Sequence, residues 1–398
     1  MATTQGLQLR TNYLVPFFHN NTRTEFRVQS DDKVILSNMR LCDFGISSVV
    51  SDANTCNYIR QAGLYALIKN IYLYSGSVLI DQLRDCSKYM AIKNMKATSA
   101  DIYDLNQQLL CSNNVLEPVQ AVDPEYPDQV DLNINTEKLI GRLPLTQIFA
   151  LLRATDTFNM WNDLRLVIEY NTQAAQIFQT EYPNSWTINT PLLGYDELVV
   201  DEAGRDAMMK QGKAVTLVYS QTERERWYVP QAAGYYSQRL RAFDSKTLSS
   251  VVIQTLIPNV PDEYLGFSYS ISSVGEKINL VVNGKKLLPY TGASTPNQKL
   301  AMFNDSFGQT ICFTGENDNL DTDQAELVNV YGPIATDLLG RLSFFGCDVL
   351  NKINTLDVEY TRDTSIIGNT VELELWIFGQ VQMYLKKDAT GKIITGYM

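Results

Sequence analysis

A single histidine limits the chemistry open to this chain. His19 lies in Phe17-Phe18-His19-Asn20-Asn21. Any Ser-His-Asp or Cys-His relay would have to run through it, because imidazole is the side chain that exchanges protons near neutral pH. Its polar, turn-like setting near the N-terminus reads as a surface residue rather than a catalytic one. A metal site built from several histidines is excluded within one chain. Six cysteines, at positions 42, 56, 86, 111, 312 and 347, contain no CxxC pair. They have neither the density of a disulfide framework nor the spacing of zinc ligands, and read as buried free thiols.

Carboxylates are the remaining source of chemistry. The loop Glu316–Glu326 carries Asp318, Asp321, Asp323 and Glu326, hard oxygen donors suited to calcium. Their order departs from the EF-hand loop, so a solvated surface loop is the expectation and ion binding stays open. Glu372 and Glu374 lie two apart on one strand, and Glu197 and Glu202 flank a connection. Paired carboxylates can hydrolyse glycosides without histidine, but an exposed strand face accounts for Glu372 and Glu374. Asn20-Asn21-Thr22 and Asn304-Asp305-Ser306 match the glycosylation sequon by chance. There is no phosphate-binding glycine loop and no HExxH. No catalytic, cofactor-binding or metal-binding residue is assigned. The 22 tyrosines and 15 phenylalanines suit sugar platforms, β-cores and subunit contacts alike.

The elements that would position these residues are strands. From Val371 to Leu385, Val371, Leu373, Leu375, Ile377, Val381, Met383 and Leu385 share one parity, while Glu372, Glu374, Gln380 and Gln382 share the other. That period of two predicts one long strand, with a bulge or bend at Gly379. A turn at 388–392 then leads into Ile393–Tyr397. Further strands are expected at 25–28, 34–41, 64–74, 164–170, 197–200, 214–219, 250–257, 277–282 and 355–361. Asn283-Gly284 signals a tight hairpin, and Ser75-Gly76 holds the matching place earlier in the chain. Helices are expected only at 78–93, 101–110 and 201–211. Many strands, with short helices confined to connections, indicate an all-β sandwich class.

The chain also repeats itself. Lys69–Ile80 resembles Lys277–Leu288, Gly141-Arg142-Leu143 returns as Gly340-Arg341-Leu342, and Leu166–Tyr170 returns as Leu356–Tyr360, at separations of 208, 199 and 190 residues. A unit repeated twice at this spacing is a whole domain, and two domains are expected of 398 residues. The expected division is 1–205 and 206–398. With a net charge of −11 and no basic arm, the chain lacks the clustered cations that grip phosphates. No apolar run is long enough to span a membrane and no secretory leader is visible, so synthesis in a cytoplasm is the expectation.

Taken together, the tandem sandwiches resemble the double jelly-roll major capsid proteins of tailless icosahedral double-stranded DNA viruses, nearest in flavour to those of polinton-like viruses and virophages. Pro191–Met209 leading into Ala214–Tyr219 is similar to that family's passage between rolls. Gly141–Phe149 followed by Leu164–Tyr170 resembles the loop before a late strand of the first roll, and the 370–385 strand with its hairpin resembles the closing strands. The resemblance implies two tandem jelly-roll β-sandwiches and a non-enzymatic subunit of a virion shell. It implies a homotrimer of pseudo-hexagonal outline that meets neighbouring capsomers, penton and minor capsid proteins, without direct contact to nucleic acid. It also implies that residues 1–20 lie at an inner or inter-capsomer face, with Phe17, Phe18 and His19 against a neighbour, and leaves open contact with an internal membrane there. The alternative is a β-sandwich carbohydrate- or receptor-binding protein of the spike or lectin kind.

Overall fold

The computed structural model describes residues 8–29, 34–50, 56–59, 62–94, 115–116, 139–155, 163–178, 183–199, 214–240, 247–256, 276–282, 284–286, 334–336, 355–366, 368–387 and 393–397. Two compact units emerge. One comprises Met1–Met90, Leu105–Tyr219 and Gln382–Met398, the other Ala91–Asp104 and Ser220–Val381.

In the first unit, β1 (Gln8–Leu14), β13 (Leu192–Val199), β5 (Arg40–Val50) and β10 (Leu139–Pro144) follow one another in one sheet, with β12 (Ser185–Ile188) on β5 and β4 (Val34–Ile35) on β13. The second sheet runs β2 (Phe18–His19), β3 (Arg23–Val28), β11 (Leu164–Tyr170), β7 (Ile68–Ser75), β8 (Val78–Arg84). A small ladder joins β6 (Cys56–Asn57) to β9 (Val115–Leu116). Alternate residues of each strand point inward: Phe26 and Val28 from β3, Leu166 and Ile168 from β11, Ile71 and Leu73 from β7, all essentially inaccessible. The sheets meet where the Phe44 and Tyr170 rings lie 6.2 Å apart. Burying each such side chain contributes about 1.5–3 kcal/mol.

The next sheet draws mainly on the second unit, with 214–219, 382–387 and β22 counted in the first: β14 (Ala214–Val229), β21 (Val371–Lys387), β16 (Thr247–Leu256) and β19 (Ile334–Thr336) follow one another, with β22 (Ile393–Tyr397) on the end of β21. The other runs β15 (Tyr235–Arg239), β20 (Leu356–Arg362), β17 (Glu276–Val282), β18 (Lys285–Lys286). Val371, Leu373, Leu375 and Ile377 meet Ile278, Leu280, Val358 and Tyr360 in one core.

Numbering only the eight principal strands of each unit from one to eight, both units show the orders 1-8-3-6 and 2-7-4-5. That is the jelly-roll winding of two Greek keys. The sequence landmarks fall on equivalent strands. Lys69–Ile80 and Lys277–Leu288 open on the fourth strand of each unit, and Leu166–Tyr170 and Leu356–Tyr360 lie in the seventh. Gly340-Arg341-Leu342 lies outside the described residues.

Some local expectations change. Residues 78–84 form a strand rather than the start of a helix, because pairing with β7 overrides a helix-like spacing. Asp85, at φ 49°, breaks the strand, and α1 (Cys86–Asn94) begins immediately after. Residues 63–67 make a buried 3-10 turn, so that strand starts at Ile68. The irregularity expected at Gly379 is present, but its partner strand carries the extra residue, between Leu248 and Ser250. At the two hairpins, Gly76 (φ 58°) is the first loop residue and Gly284 (φ 77°) the second, so the copies differ there by one register step. The expected helices 101–110 and 201–211 lie outside the described residues.

Candidate functional site

The lone histidine is structural. His19 Nε2 faces the Ile188 carbonyl at 3.3 Å and Nδ1 faces Thr24 Oγ1 at 2.7 Å. With Nε2 donating, Nδ1 accepts from Thr24, whose oxygen in turn accepts from the Tyr170 hydroxyl at 2.7 Å. The half-buried ring therefore ties β2 and β3 to β12, across the two sheets of its unit. Asn20 is likewise occupied: its Oδ1 accepts from the Thr22 amide, the Thr22 hydroxyl and the Arg23 amide, closing the turn.

Glu372 and Glu374 are not on an exposed face. Glu372 is 6% and Glu374 0% accessible, on the side of β21 opposite the core. Arg226 Nε meets Glu372 at 3.0 Å, Arg226 Nη2 meets Glu374 at 3.4 Å, and Arg224 Nη2 pairs with Glu374. The Arg224 guanidinium lies 5.4 Å from the centre of the buried Trp376 ring. Sequence reading missed the arginines, although the signal was available: Arg224 and Arg226 are spaced by two in Glu223-Arg-Glu-Arg226, as are the glutamates. On adjacent strands equal spacing brings the two sets face to face. Buried, charge-compensated carboxylates of this kind are not arranged as a hydrolase pair over an open cleft.

A second charged group sits on the corresponding sheet of the first unit. Asp196 pairs with Arg40 at 3.3 Å and accepts from Thr11 and Asn38. Burial pushes its carboxyl up, but the hydrogen bonds from Thr11, Arg40 and Asn38 outweigh this and hold it below 3.8. Glu197 accepts from Asn12 at 3.0 Å, while Glu202 lies outside the described residues. So do the acidic loop 316–326 and Asn304. Cys42 is half-buried and Cys56 and Cys86 are buried, none of the three in a disulfide. The other three cysteines are not among the described residues. Among the described residues no group of three or more metal-ligating side chains converges, and no helix is long and apolar enough to cross a membrane.

One buried acid has no counterpart in the sequence reading. Asp81, on β8, is 4% accessible and accepts from the amides of Gln82 and Leu151 at 2.8 and 3.2 Å. It fastens β8 to the short helix α2 (Leu151–Ala154). Burial pushes its pKa from 3.8 up to about 7, against the lowering effect of those two amides.

Exposed apolar side chains gather on the N-terminal strand and the segment after it. Leu9, Tyr13, Val15 and Phe17 alternate along the chain and are 58%, 59%, 64% and 61% accessible. Phe18 and Val199 lie nearby at 44% each. Apolar rows of this kind mark contact surfaces more often than free ones.

No family model and no curated protein matches the chain. Solved structures do. The chain is similar to one in the cryo-EM structure of the Sputnik virophage, with a TM-score of 0.58 and 9% identity over 100% of this chain and 90% of that one. It is similar to a chain of the PBCV-1 virus capsid model at a TM-score of 0.56 and 11% identity, covering 100% and 99%. Against the Faustovirus major capsid protein the TM-score is 0.55 at 8% identity, covering 95% and 90%. At such identities the likeness is one of fold, and it agrees with the strand orders found in each unit: the chain is an all-β double jelly roll, shared along nearly its whole length with these viral proteins.

Proposed function

We propose that the chain is a major capsid protein that acts by self-assembly rather than catalysis. The observation that carries this reading is the tandem repetition of one eight-strand winding, 1-8-3-6 and 2-7-4-5, within a single chain. Three such chains present six similar rolls, so a homotrimer has a pseudo-hexagonal outline and can tile a lattice. Along the chain the rolls divide at 1–205 and 206–398, although the compact units count 206–219 and 382–398 with the first. The exposed side chains of Leu9, Tyr13 and Val15 are the kind of surface that subunit contacts cover, which supports a contact of the N-terminal strand with a neighbouring capsomer or the inner face. Penton and minor capsid proteins are the remaining partners. A net charge of −11 suits a subunit that stays soluble before assembly and does not grip the genome.

The subunit is made in a host cytoplasm and ends in the virion, in a virus of the polinton-like or virophage type. Expression of the chain alone, followed by negative-stain electron microscopy, tests the reading. Particles of hexagonal outline that order into sheets or shells are expected; dispersed particles with no preferred association would overturn it.

A further inference from the structure

On the outer side of β3 and β11 lies a groove of about 910 Å3, within the range of small-ligand sites. Its walls are charged but balanced. Arg27 holds Asp163 through Nε at 3.0 Å and Nη2 at 2.6 Å, while Arg165 Nε meets Glu25 at 3.2 Å. Among the described lining residues two cations face two anions, a balance that suits a neutral ligand better than a polyanion. Each group is also held in place before any ligand arrives. Glu25 is fixed a second time by Arg23, and Arg165 lies over the Tyr74 ring at 5.3 Å. One edge is apolar: Phe17 is 61% accessible, yet its backbone is pinned by the amide donating to the Glu25 carbonyl at 3.0 Å. Gly76 and Ser77 close the opposite side at the β7–β8 turn.

We propose that this groove binds a neutral pyranose at the end of an oligosaccharide. Such a ring has the two faces the groove offers. Its C–H face lies against Phe17, and its adjacent hydroxyls donate to Glu25 or Asp163 and accept from Arg27 or Arg165. Fixed carboxylates and guanidinium forks take neighbouring hydroxyls two at a time, which gives orientation as well as attraction. Ordering costs are low because the ion pairs already hold the side chains. This binding goes beyond the proposed assembly, and the residues named as lining the groove all belong to one unit of one chain.

The test uses the full-length protein in whatever oligomer it forms, on an array of immobilised neutral, sialylated and sulfated oligosaccharides, with titration of the best hit by ligand-observed NMR. Binding to neutral glycans is expected, weakened about tenfold or more by Phe17→Ala. Tyr228→Ala, at an exposed aromatic of the second unit outside the groove, should bind like the parent. Arg165→Gln should weaken binding while circular dichroism and the melting temperature stay close to those of the parent. No binding to neutral glycans, preference for the anionic ones, or affinity unmoved by Phe17→Ala would each overturn the proposal. None of these outcomes bears on trimer formation, which light scattering reads on the same samples.

Discussion

The two rolls keep one winding and differ in how they stabilise it. Each carries a repeated glutamate and tyrosine in its seventh strand. Glu169 faces Asn70 across the strand pair and Glu359 faces Asn279. Both tyrosine rings are buried, but Tyr170 gives its hydroxyl to Thr24 and Tyr360 gives its own to Glu276. The turn before the second strand is closed by Asn20 in the first roll. In the second roll it is closed by Arg362, which donates to the carbonyls of Pro230, Gln231 and Ala233. Both carry arginine–carboxylate pairs on the outer side of the sheet that contains the first and eighth strands. In the first roll Arg40 comes from the third strand and in the second Arg224 and Arg226 come from the first. Apolar pattern and strand order are what the copies share. Polar partners were free to change, because a buried polar group requires a partner and not a particular one.

Several substitutions would break or sharpen that contrast. The largest effect is expected at Gly45 on β5, at φ 148°, where a Cβ would come within 1.8 Å of the Leu139 carbonyl oxygen. Gly45→Ala should cost more than about 4 kcal/mol or prevent the first roll from folding, since neither backbone can yield cheaply. Soluble expression and a denaturant midpoint check this. Next, Glu374→Ala leaves Arg224 and Arg226 short of a buried counter-charge. A loss of about 3–5 kcal/mol is expected, against about 1–3 kcal/mol for Asp196→Ala in the first roll, where more solvent reaches the pair. Equal losses would show that the two charged groups are equivalent after all.

Asp81 gives the first roll a pH dependence. Its proton is held up to about pH 7 in the folded chain, against 3.8 ordinarily. Unfolding between these values must expel that proton, so stability rises as pH falls from about 7 toward about 4, and the gain is absent above pH 7. Between pH 8 and pH 5 the gain is about 3 kcal/mol. Scanning calorimetry at the two pH values should show it, and Asp81→Asn should flatten it. The smallest effect is the tyrosine pair: Tyr360→Phe should cost about 1–3 kcal/mol, since it removes a donor from a buried carboxylate, and Tyr170→Phe about 1 kcal/mol. Urea melts of the two variants compare them directly.

The strands with strict alternation were legible in the sequence, as Leu164–Tyr170 and the long β21 show, because one buried face imposes a period of two. The repeat was legible too, since its landmarks sit on strands that both cores need. Residues 78–84 were misread because a hairpin partner decides their conformation. The burial of Glu372 and Glu374 was missed because two charges on a strand look solvated until the opposite strand is known to supply arginines. Asp81 gave no signal, since its partners are backbone amides that no sequence pattern marks.

The proposed pseudo-hexagonal trimer rests on two similar rolls in one chain. Size-exclusion chromatography with multi-angle light scattering tests it most directly. A single species of about three times the 44.9 kDa chain mass is expected, persisting on dilution to nanomolar concentration as obligate interfaces do. A stable monomer at micromolar concentration would contradict it.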